Sequence, residues 1–125
     1  MKIMVVDDEE DVQLLFRQKF RKEIRKGLLD FHFAFSAQAA LDYLKNAEPN
    51  NLVLILSDIN MPGMNGLELL KAIKAQFPHL KVFMMTAYGD NENHHKAQEY
   101  GADDYLNKPV EFEHLKQKIF ELSDH

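Results

Sequence analysis

Five short apolar runs punctuate the chain: KIMVV (2–6), FHFAF (31–35), LVLILS (52–57), KVFMM (81–85) and DYLN (104–107). Between them lie segments whose apolar residues recur at helical spacing. Val12, Leu15, Phe16, Phe20 and Ile24 share one face in the first such segment, and Leu67, Leu70, Ile73 and Phe77 do so in the third. The run LVLILS is apolar up to its terminal Ser57, as a parallel strand covered on both faces requires. Strands alternating with helices predict βαβ units, right-handed crossovers and one parallel sheet.

Local signals set the boundaries. Pro78 stops the third helix, Asp90 is an N-cap for the fourth and Gly101 its C-terminal cap. The fifth carries Phe112, Leu115, Ile119 and Leu122, a core face that is also two repeats of a heptad seam. The first helix reads as running on into RKEIRKGLLD, with the basic run at 17–26 as its solvated face rather than a phosphate-binding patch. His94 and His95 are adjacent, so they point in different directions on a helix and are expected in solvent, whereas Met84 and Met85 are expected in the core.

With 125 residues, one domain spanning 1–125 is expected, able to bury about two-thirds of the surface of its unfolded chain. It needs no staple and, with no cysteine, has no disulfide. A net charge of −5 argues against a nucleic-acid surface. No apolar run approaches the roughly 20 residues that cross a membrane. Asp7 also interrupts the N-terminus too early for a secretory signal. A cytoplasmic protein in contact with neither nucleic acid nor membrane is expected.

In an open parallel sheet, ligands bind beyond the carboxyl ends of the strands. Asp7 and Asp8 follow the first strand, Asp58 the third, Thr86 the fourth and Lys108 the fifth. Three carboxylates held together call for a hard cation such as Mg²⁺. Without it they should repel, and one pKa should rise. A lysine and a hydroxyl at the same edge suit a tetrahedral oxyanion, and the set as a whole suits a phosphoryl acceptor. Singly, each signal is bland: an Asp pair is usually a turn or a helix start, as Glu9, Glu10 and Asp11 are expected to be, and a Lys-Pro is usually a turn.

The motifs VVDDEEDV, LSDINMPGMNGLELL, MMTAYGD and GADDYLNKPV occur in the order and spacing of the receiver domains of two-component response regulators, which the chain resembles over its whole length. The resemblance implies a flavodoxin-like, doubly wound α/β fold: a five-stranded parallel sheet of order 2-1-3-4-5 with five helices. By resemblance, Asp58 is the phosphorylated residue, Asp8 a direct Mg²⁺ ligand, and Asp7 an acid that assists through water. Asn60 lends a backbone carbonyl to the metal. Thr86 is the switch hydroxyl, Tyr105 the aromatic that moves with it, and Lys108 the partner of the phosphoryl group, followed by a cis bond to Pro109. The implied partner is a sensor histidine kinase or phosphotransfer protein. A homodimer through the fourth helix, fifth strand and fifth helix is a further expectation. Asn60 and Tyr88 would flank the path of the hydrolytic water, with Tyr88 prolonging the phosphorylated state. Glu111 departs from the aspartate common at the start of the last helix.

Two other classes fit less well. A haloacid dehalogenase-like phosphatase needs a threonine that VVDDEED lacks, and a cap insertion this length does not accommodate. A flavin-binding flavodoxin needs a phosphate-cradling loop where this chain has five acids. A degenerate receiver used only for binding is disfavoured because every site residue is present. The chain reads as a stand-alone receiver or as the receiver part of a longer protein.

Overall fold

The computed structural model describes residues 1–46, 52–87 and 89–123. The apolar runs become β1 (Lys2–Val6), β2 (Asp30–Ala34), β3 (Leu52–Asp58), β4 (Lys81–Ala87) and β5 (Asp104–Lys108). All pair in parallel in the order β2-β1-β3-β4-β5, as expected. The order reverses between β1 and β3, which opens a crevice at their carboxyl ends.

The helices are α1 (Glu10–Lys19), α2 (Arg21–Arg25), α3 (Ala37–Asn46), α4 (Gly66–Gln76), α5 (Asn91–Glu99) and α6 (Phe112–Ser123). Among the described residues these are the five long helices expected and one additional short one, α2. The first helix breaks at Phe20 (φ −104°, ψ 19°), although the Phe20 N–H still reaches the Phe16 carbonyl at 3.0 Å. Phe20 is fully buried and packs on Phe31 and Phe112, so the break falls at the residue that ties this stretch to the core. Gly27 ends α2 at φ +74°, with Gly27 N–H on Ile24 O and Leu28 N–H on Glu23 O, a Schellman closure that favours glycine. The short α2 shifts the count, so the helices read from sequence as fourth and fifth are α5 and α6. No helix among the described residues is long and apolar enough to cross a membrane.

Strand alternation sorts the side chains onto two faces. Ile3, Val5, Leu54, Leu56, Phe83 and Met85 pack with Phe16 of α1 and with Leu115 and Ile119 of α6. Met4, Val6, Ile55, Val82 and Met84 pack with α3, α4 and Ala97 of α5. Met84 and Met85 are core residues, as expected. Leu15, on the same apolar face as Phe16, is 41% exposed, beside Leu14 at 67%. It lines a hollow with Val12, Phe16, Pro109, Val110 and Phe112 instead of entering the core.

Caps place the helices that flank the crevice. Asn65 and Glu68 close a capping box on α4. Asp90 caps α5 by accepting from the Asn93 N–H at 3.2 Å. Gly101 (φ +93°) ends α5 with a second Schellman closure, Gly101 N–H to Gln98 O and Ala102 N–H to Ala97 O. Gly66 is the most closely packed of the described glycines, and its N–H donates to Ile59 O at 2.8 Å. A Cβ there would lie 1.9 Å from the carbonyl oxygen of Asp58. Gly66→Ala must therefore push α4 away from the end of β3. We expect a loss of stability at or beyond the upper end of the roughly 1–3 kcal/mol of ordinary overpacking, measured as a lower urea midpoint with an unchanged slope.

Candidate functional site

Asp7 immediately follows β1 and keeps to the ladder, its N–H donating to Ala34 O at 3.1 Å. Asp58 closes β3 opposite Met85. Backbone donors orient both carboxylates: Glu9 N–H reaches Asp7 Oδ1 at 3.0 Å, and Ile59 N–H reaches Asp58 Oδ1 at 2.9 Å. Asp7 and Asp58 are buried at 3% and 7% exposure, while Asp8 faces solvent. One carboxylate oxygen from each of the three lies within 4.8 Å of the others. Lys108 ends β5, two strands from β3, a span of about 10 Å at ordinary strand spacing. Its Nζ lies 3.0 Å from Asp7 Oδ2 and 3.2 Å from Asp58 Oδ1. The Lys108–Pro109 bond is cis, as the resemblance implied. Thr86, buried near the end of β4, pairs with Asn107 and sits one residue past the partner of Asp58.

The structure therefore brings Asp7, Asp8, Asp58 and Lys108 together and places Thr86 on the adjoining strand end. Asn60 is exposed in the loop two residues beyond Asp58. Tyr88 lies outside the described residues. Glu9, Glu10 and Asp11 start α1, where acids suit the helix dipole.

The Asp58 carboxyl is raised above the usual carboxylate range, chiefly because burial strips water from the charged form. The Lys108 charge opposes the rise, and the Asp7 charge adds to it. Repulsion among the acids, the cause expected from sequence, is thus a lesser one. Burial pulls the Lys108 ammonium down, but its bond to Asp7 and the charges of Asp58 and Asp7 outweigh this, and its pKa is raised. Lys108 is the tethered cation of a buried carboxylate pair. Three converging carboxylates supply the hard oxygen donors that a small divalent cation takes, so the site fits Mg²⁺.

Tyr105 is half-buried on β5, packed against the α3–α4–α5 core. Its ring lies on the imidazole of His94, with centroids 4.1 Å apart and planes at 25°. His94 is therefore half-buried where solvent exposure was expected, because it shares the inner face of α5 with the fully buried Ala97 three residues on. His95 is exposed, as expected.

The sequence reading assigned no role to three other supports. Gly66 lets α4 close on the strand carrying Asp58. Asp103 accepts from Val82 N–H at 2.8 Å and from Lys74 Nζ at 2.7 Å, tying β4 to α4. Glu23 of α2 pairs with Lys116 of α6 at 3.4 Å. The signal for Asp103 was present in GADDYLN, since an acid placed just before a strand can satisfy a neighbouring strand's first N–H.

A family profile described as response regulator receiver domain matches residues 3–120. The sporulation initiation phosphotransferase F of Bacillus subtilis is 33% identical over 118 residues, covering 94% of this chain and 90% of that protein. The response regulator protein FleR of Pseudomonas aeruginosa is 38% identical over 110 residues, 88% of this chain but only 22% of that protein. Among solved structures, a CheY-like response regulator receiver domain protein from Methanospirillum hungatei is similar at 31% identity and a TM-score of 0.84, covering 98% of this chain and 94% of that one.

A carboxyl with a raised folded pKa is worth less ionised in the native state than in the unfolded one. Between its unfolded value and the raised folded one, the native state holds more protons, so stability falls as pH rises. Asp58→Asn removes this penalty. Without divalent cations, the variant should have a higher denaturation midpoint at pH 7, and the gain should fade as pH drops below the ordinary value of 3.8. Thermal melts of both proteins across pH would show it.

Proposed function

The chain belongs to the response regulator receiver domains of two-component systems, and on that premise we propose that Asp58 accepts a phosphoryl group from the phosphohistidine of a sensor histidine kinase or phosphotransfer protein. The observation that carries this reading is the meeting of Asp7, Asp8, Asp58 and Lys108 at the ends of three strands, with Asp58 held in place by the Ile59 N–H. Asp7, Asp8, Asp58 and the main-chain carbonyl of Asn60 would hold Mg²⁺, which when bound supplies positive charge beside the phosphoryl oxygens.

An Asp58 carboxylate oxygen attacks phosphorus in line. The new O–P bond forms as the N–P bond to the donor imidazole breaks, and that nitrogen leaves with its electron pair. The Lys108 ammonium, already 3.2 Å from Asp58, moves from carboxylate to phosphoryl oxygen. The Thr86 hydroxyl approaches the same group and vacates space into which Tyr105 turns. The α5–β5–α6 face changes with it, a population shift between two packings. That face then binds an output partner, or a second copy as a homodimer. The hollow beside Lys108, with exposed Leu14 and Leu15 near it, offers the donor protein an apolar seat next to Asp58. The chain performs this self-phosphorylation as a regulator rather than as a turnover enzyme. It acts in the cytoplasm through proteins, without touching nucleic acid or membrane itself.

With Mg²⁺ and a small phosphodonor such as acetyl phosphate, intact-mass measurement should show one phosphate adduct. It should be lost in Asp58→Asn and when EDTA removes the metal. An equal adduct in Asp58→Asn would rule out the assignment. Thr86→Ala and Lys108→Ala should still take phosphate but show a weakened change of the NMR signals around Tyr105. A full wild-type change in either would sink the switch.

A further inference from the structure

α5 is a polar helix that is lightly anchored in the core. Ala97 is its single fully buried residue. Its start is fixed by Asp90, which accepts from both the N–H and the Nδ2 of Asn93. The next residue, His94, therefore has little freedom in where it points, and it lies flat on Tyr105 at 4.1 Å. Tyr105 occupies the edge strand β5 between two hollows. One is lined by Gly89, Asn91, His94 and Asn107, the other by Pro109, Glu111 and His114. Tyr105 thus borders both hollows, and the face of its ring rests on the imidazole. On the sheet side, Tyr105 pairs with Met84, two residues from Thr86 on the same face of β4.

We infer that His94 is a positioning residue: its imidazole holds Tyr105 in the resting rotamer, and the ring must leave that stack before it can follow Thr86. This rests on the reading of Asp58 and Tyr105 given above. The stack makes the resting state self-consistent. A Tyr105 free in its hollow would turn inward whenever Thr86 happened to move, and the α5–β5–α6 face would change without a phosphoryl group. Leaving the stack also frees the first two turns of α5 from β5, so the motion of one ring reaches a whole helix. An aromatic pair of this kind shifts an equilibrium by roughly two- to twelvefold, enough to set the resting population of the switched state without blocking it.

The test uses the whole chain with isotope-labelled tyrosine and compares wild type, His94→Ala and His94→Phe. Three-bond couplings give the Tyr105 χ1 populations in resting protein with no phosphodonor present. The ratio of the resting rotamer to the others should fall roughly two- to twelvefold in His94→Ala and return in His94→Phe, which keeps a flat ring at the position. An unchanged ratio in His94→Ala, or no recovery in His94→Phe, overturns the inference. Should the alanine variant fail to fold, wild type alone decides. The cross-relaxation between the His94 and Tyr105 rings should vanish when Asp58 carries phosphate, and its persistence in a protein shown by mass to be phosphorylated overturns the inference. If mass shows no adduct on Asp58, the phosphoacceptor reading has failed instead, and the resting couplings still test the stack.

Discussion

Asp7 and Asp58 lie side by side out of water, and Lys108 reaches over an intervening strand to lie between them. Two desolvated carboxylates with no cation beside them would take up a proton or force the strand ends apart. The rest of the architecture serves this reach. β5 must lie two places from β3, β1 must be the other neighbour of β3, and α4 must come in close enough to shelter the Asp58 backbone. The 2-1-3-4-5 order supplies the first two, and Gly66 permits the third. In the phosphoacceptor role proposed above, the same lysine would exchange its contact with Asp58 for one with the incoming anion.

The parts legible in the sequence are those governed by periodicity and by strand ends. Runs such as KIMVV and LVLILS mark strands because a sheet buried on both faces leaves no alternative to continuous apolarity. Asp7, Asp58, Thr86 and Lys108 could be placed because each follows such a run. What was not legible depends on contacts between segments far apart in the chain. Nothing local announces that a Cβ at Gly66 would strike the Asp58 carbonyl, since the clash belongs to the packing of α4 on β3. The break at Phe20 is likewise tertiary: the periodic pattern runs straight through it, and rings contributed by β2 and α6 hold it. His94 was misread because the polarity of DNENHHKAQEY hides which side faces inward, and only the buried Ala97 reveals it. Spacing placed Leu15 on the same helix face as Phe16 and Phe20, but could not show that the hollow beside Lys108 leaves it partly uncovered.

The polarity of α5 has a thermodynamic meaning. A helix held by one small buried residue, two caps and a ring stack sits near the low end of local stability, where motions are cheap. α4, its neighbour, buries Leu67, Leu69, Leu70 and Ile73 and carries a full capping box. Of the two helices that follow strands β3 and β4, one is firmly embedded in the core and the other only lightly so. The difference is already written in how many of their residues the core claims.

The sheet also separates two interiors of different character. On the α1–α2–α6 side, Phe16 stacks with Phe20 and meets Phe31, Phe33 and Phe112 edge-on, with centroids from 5.1 to 6.5 Å apart. Planar rings locked edge to face have few ways to rearrange. On the other side, Met4, Met61 and Met84 mix with leucine and alanine, side chains that refill space readily when a neighbour moves. Thr86 and Tyr105 sit with this second interior. Mechanically the domain is a laminate, with a stiff backing and a compliant front bonded to one sheet. A load applied at the strand ends would therefore fall mainly on the compliant side, where flexible side chains can repack, while the locked rings of the backing would resist it.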